Sequence, residues 1–107
     1  MATGLVAPLK TAYRIIQTSW RKDFCADTTG LLCHWFNERA FSFDVLGAME
    51  VAFQDRAGIA EGFLLLDGCA PGASAINFAD HPDATHKQVL EMFECAIARA
   101  RRIEAAR

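Results

Sequence analysis

Two carboxylates and two imidazoles fall within seven residues at Asp80-His81-Pro82-Asp83-Ala84-Thr85-His86. A carboxylate beside a histidine can work as an acid–base pair or ligate a metal. A helix beginning here would also draw an anion to its N-terminus. Four residues separate His81 from His86, and Pro82 is one of them. That spacing is not helical, so the two rings need not converge. Aspartate also collects at helix starts for capping alone. The favoured expectation is a capped junction with exposed histidines. The sharper one is a polar site of Asp80, His81, Asp83 and His86, acting as a small enzyme or metal centre.

Cys33-His34 is a second pair with reactive side chains, since a thiolate beside an imidazole can attack a substrate. Neighbours on a strand point to opposite faces, so direct activation is not expected. No H-E-x-x-H, G-x-S-x-G or glycine-rich phosphate loop occurs. No catalytic residue, metal or cofactor is therefore assigned. Trp35, Phe36, Phe41 and Phe43 place four aromatics in nine residues. They close off a core or, with Phe63 and Leu65, line an apolar pocket or an interface.

These residues need elements to hold them. Leu9, Ala12, Tyr13, Ile16 and Trp20 recur at helical intervals and predict a first helix over 8–20, with Pro8 at its start. Lys10, Arg14 and Gln17 fall on its other side. Asp27-Thr28-Thr29-Gly30, between apolar flanks, predicts a hairpin turn that sets Cys25 and Cys33 opposite each other. Ser42 is expected to cap a second helix carrying Val45, Leu46, Met49, Ala52 and Phe53, which Asp55–Gly58 ends. Gly47 and Ala48 leave room for a close neighbour. A short third helix spans 59–66, apolar on more than one face. Residues 67–74, rich in Gly and Pro, read as a loop. Thr85 and Gln88 stand as a capping box before a final helix with Val89, Leu90, Met92, Phe93, Ala96, Ile97, Ala100 and Ile103 on one face. Arg99, Arg101 and Arg102 suit the end of that helix electrostatically.

The chain has 107 residues, 52% of them hydrophobic, and a formal net charge of −2. That amount of apolar material suits one core, so residues 1–107 are read as a single domain. The acidic balance, with a pI near 5.8, argues against a nucleic-acid partner. No apolar run approaches the roughly 20 residues of a membrane span. Lys10 follows the short apolar opening instead of preceding it, so no secretory signal is expected. The four cysteines form no C-x-x-C pair. Reduced thiols in a cytoplasm are the resulting expectation.

Two segments carry a resemblance. Asp44-Val45-Leu46-Gly47-Ala48-Met49, preceded by Ala26-Asp27-Thr28-Thr29-Gly30, is one; Phe78 through Leu90 is the other. Together they resemble a family of small uncharacterised bacterial and phage proteins. Its members carry an A-x-D-x-x-G turn, a C-x-x-G-A-L helix start and a W-N-D-x-P-x-R-T-x-x-E-V-L segment. Asp80, Pro82 and Thr85 match that last pattern, and Phe78 and Gln88 match in kind. Asp44, Ala79 and Ala84 stand where the family has Cys, Asn and Arg. The retained residues are those a loop-to-helix junction needs; the replaced polar ones are those a binding site would use. The resemblance implies an accessory protein of mobile DNA more than a housekeeping enzyme.

The expectation is thus a mainly α (α+β) fold, a compact bundle of about four helices with a short β-hairpin after the first. Its function is read as non-enzymatic binding, through a homodimer or a protein partner, without nucleic acid or membrane. Three alternatives stand beside it. They are the polar site at 80–86, an apolar-ligand carrier built on 35–43, and an inhibitor-type protein presenting Glu38, Asp55, Glu61 and Asp67.

Overall fold

A computed structural model describes residues 4–20, 25–26, 31–33, 43–72 and 74–106. Five helices occur among them: α1 (Val6–Ser19), α2 (Val45–Ala52), α3 (Arg56–Cys69), α4 (Ala75–Asp80) and α5 (His86–Ala105). Strands β1 (Cys25–Ala26) and β2 (Leu32–Cys33) form the hairpin ladder, antiparallel, with Cys25 opposite Cys33. The turn residues 27–30 lie outside the described residues. The fold is mainly α, as expected, with one helix more than the bundle of four.

α1 buries Leu9, Ala12 and Ile16 completely, as the apolar spacing requires. It begins at Val6, two residues before Pro8. Proline is tolerated there because first-turn N–H groups have no partner within the helix. Leu5, at the cap position, has no side-chain oxygen to offer. The carboxylate of Glu104, near the end of α5, accepts the Val6 N–H instead, at 3.0 Å. At the other end the Phe43 N–H donates to the Ser19 carbonyl, making a parallel bridge between Trp20 and Phe43. The chain between α1 and α2 is therefore gathered at its two ends.

The cap of α2 is Asp44, not Ser42, which lies outside the described residues. Asp44 Oδ1 accepts from the Gly47 N–H at 2.8 Å. Asp55 does not close α2 but opens α3, accepting from the Gly58 N–H. Only three residues separate the two helices, so a single aspartate serves as breaker and starter. α3 then packs tightly on α2. A Cβ at Gly62 would come within 2.8 Å of Met49 Cε and Phe53 Cζ.

The stretch expected as a loop from 67 onward is helical through Cys69, and a further helix, α4, begins at Ala75. Gly72, at φ +96°, turns the chain between them. Ser74 caps α4, and Asp67 reaches across from α3 to accept the Ala75 N–H at 2.8 Å. α5 starts as the sequence predicts: Thr85 and Gln88 each bond the other's backbone, at 3.0 and 3.1 Å.

α1 packs on α2 and on α5, and α3 packs on the far part of α5. Phe93, Leu9, Ile16, Met49, Leu66, Val45 and Val89 are the largest fully buried side chains. Ile16, Val89 and Phe93 thus face the core, as the stripes on α1 and α5 predict; Trp20 is half-buried beside it. Leu46 is the exception on α2 and is 41% exposed. Val6 meets Glu104, Tyr13 meets Glu94 and Ile16 meets His86. α1 and α5 therefore run antiparallel. Among the described residues no helix is long and apolar enough to cross a membrane.

Cys69 and Cys95 are joined as a disulfide, tying the end of α3 to the middle of α5. This corrects the expectation of reduced thiols for these two residues. Nothing in their 26-residue separation announces the pairing; the packing of α3 on α5 creates it. Such bonds persist in oxidising compartments. Cys33 is a free, half-buried thiol.

Candidate functional site: the groove between α1 and α5

The 80–86 segment is a joint between helices. Asp80 is the last residue of α4. The exposed His81 ring accepts the Asp83 N–H through Nδ1 at 3.1 Å, and the Asp83 carboxylate stands 3.9 Å away. His86 turns the opposite way. It donates through Nε2 to the Ile16 carbonyl at 2.7 Å and stacks on Trp20, with ring centroids 5.2 Å apart. Imidazoles and aromatic planes attract in this arrangement, and a histidine satisfies a last-turn carbonyl well. The two rings therefore serve different neighbours. Among the described residues no group of three metal-binding side chains assembles.

Most other candidates also have structural work. Asp55 and Asp67 cap α3 and α4. Phe43, Phe63 and Leu65 are half-buried and pack on the core. Trp35, Phe36 and Phe41 lie outside the described residues, as do His34 and Glu38. Arg99, expected to complement the end of the last helix, donates to the Gly68 carbonyl at 3.2 Å and so caps α3.

Side chains left over from these joints meet elsewhere. Lys10, Tyr13 and Arg14 on α1 face Glu94, Ile97 and Arg101 on α5 across a groove of about 320 Å³. Gln17 and Ala98 complete its wall. The Tyr13 hydroxyl donates to Glu94 Oε2 at 2.8 Å. That bond, then partial burial and the carboxylate's charge, hold the phenol above its usual pKa of 10.0. Among the described residues Lys10, Arg14 and Arg101 form no ion pair. Three cations thus share a groove with one carboxylate, in a chain of net charge −2. A second depression of about 490 Å³ continues past Lys10 and Arg14 to Thr11 and Glu104. In the sequence, Lys10 and Arg14 look like any solvated helix face. Only antiparallel docking of α5 sets Arg101 opposite them.

A disulfide-tied fold with five helices among the described residues, and a charged cleft between α1 and α5, is the class that fold and site define. The chain belongs to DUF6197, a family of unknown function, whose family model matches residues 3–99. An uncharacterised domain family is what the motifs at 44–49 and 78–90 implied. No curated protein and no solved structure matches the chain.

Proposed function

We propose that the chain is a non-catalytic binding domain that engages a protein partner through the α1–α5 groove. The observation carrying this reading is that Lys10, Arg14 and Arg101 line one cleft, without ion pairs among the described residues. Charge of one sign along a cleft speeds and orients association with an oppositely charged surface. The histidines and aspartates of greatest chemical promise are occupied in helix joints, so the enzymatic alternative gains no geometry from them.

The test is capture of partners from native-host extract by immobilised protein. Partners held by the wild type are expected to be lost with Lys10→Glu/Arg14→Glu and kept with Leu64→Ser. Equal capture by the groove variant and the wild type would sink the reading.

A second reading, self-association, rests on Leu64, an apolar side chain of α3 that is 72% exposed. Light scattering decides it: a dimer that Leu64→Ser dissociates supports it, and a monomer at micromolar concentration ends it.

A further inference from the structure

We infer that the α1–α5 groove takes an extended acidic segment of the partner, with carboxylates on alternate residues; this deepens the binding reading and rests on it. Lys10 and Arg14 are four residues apart on α1, roughly 6 Å along the helix axis. Alternate residues of an extended strand are about 6.5–7 Å apart and project to the same side. A Glu-x-Glu segment lying along α1 therefore offers one carboxylate to each cation.

The third cation fits the same placement. Val6 meets Glu104 and Tyr13 meets Glu94, so Arg101 falls level with the Lys10 end of the groove. Glu94 falls level with Tyr13, between the two α1 cations in sequence. The cleft therefore holds three cations and one carboxylate, and that carboxylate is already engaged by the Tyr13 hydroxyl. An acidic segment is drawn by the excess of cations, and Glu94 opposes it from the α5 wall. Ile97, only 8% exposed, lies at the floor between the charges. An apolar side chain beside the acidic pair finds cover there.

A single compact anion suits the cleft poorly, because the cations are strung along two helices and do not converge on a point. A nucleic-acid strand suits it less well than a peptide. Strand binders offer aromatic faces for bases to stack on, and among the described residues the single aromatic of the lining, Tyr13, is tied through its hydroxyl to Glu94.

The experiment is fluorescence anisotropy with a labelled Glu-Leu-Glu-Leu-Glu peptide, its Gln-Leu-Gln-Leu-Gln counterpart and a labelled oligothymidylate. The acidic peptide is expected to bind, more weakly as salt rises. The glutamine peptide should bind about tenfold more weakly, the equivalent of two solvent-exposed charge pairs. Lys10→Ala/Arg14→Ala should cause a comparable loss with unchanged thermal melting, Arg101→Ala a smaller one, and Glu94→Gln a gain. Three results would overturn the inference: equal binding of the acidic and glutamine peptides, no response to Lys10→Ala/Arg14→Ala, or tighter binding of the oligothymidylate. Partner capture that depends on the groove, with no affinity for the acidic peptide, would remove this inference and leave the binding reading standing.

Discussion

His86, the first residue of α5, donates to the carbonyl oxygen of Ile16, 70 residues earlier in the last turn of α1, at 2.7 Å. A carbonyl only accepts, so Nε2 carries the proton. The same ring lies on Trp20, 10° from parallel. One side chain thus joins the end of the first helix to the start of the last. His86→Ala is expected to lower stability by about 1–3 kcal/mol, the range for leaving a partly buried polar partner unsatisfied. His86→Phe keeps a ring against Trp20 and should lose less. Urea unfolding measures both; equal losses would show that the stack contributes nothing.

Thr85 bonds the Gln88 N–H at 3.1 Å, and Gln88 returns a bond to the Thr85 N–H. Thr85→Ala should cost about 0.5–2 kcal/mol, with Thr85→Ser retaining most of the stability. Denaturant midpoints read the difference.

The elements legible in the sequence are those whose signals are local. The apolar stripe of α5 and its Thr85–Gln88 box are complete within one stretch of chain, as is the Leu9–Ala12–Ile16 stripe of α1. Misplaced boundaries share a different cause, because the deciding partner lies on another element. α4 is only six residues long and follows the stretch rich in Gly and Pro, and its first N–H is held by Asp67 from α3. α3 runs on to Cys69, where Arg99 and Cys95 of α5 meet its end. Val6 starts α1 without a local cap because Glu104 supplies one. The groove was illegible for the same reason. Lys10, Arg14 and Arg101 are ordinary surface cations until two helices dock.

Cys69 and Cys95 close a loop of 26 residues. In the chain-entropy account a crosslink over that length stabilises by about 3–4 kcal/mol. Dithiothreitol, or Cys69→Ala/Cys95→Ala, should lower the unfolding midpoint accordingly. Thiol counting with and without reductant checks the bond itself: an unreduced protein with all four cysteines reactive would contradict it.

Tyr13 is the chain's one tyrosine, so the ultraviolet absorbance of tyrosinate reports on it alone. Its hydrogen bond to Glu94 holds the phenol neutral to higher pH than the usual 10.0. The folded value is raised above the unfolded one. The contribution to stability is therefore whole below the ordinary tyrosine pKa and disappears as pH climbs through the raised value. Glu94→Gln is expected to bring the titration back toward 10.0. An unchanged titration in that variant would mean the carboxylate is not what holds the proton.

The bond between Val6 and Glu104 has a practical side. Affinity handles or fusions added upstream of the one and downstream of the other set out side by side, next to Lys10 and the mouth of the cleft. Immobilisation through a handle at either place would crowd the surface proposed to receive a partner. The turn at Asp83, whose side chain is 93% exposed at the opposite pole, is the better place to attach a label or a bead.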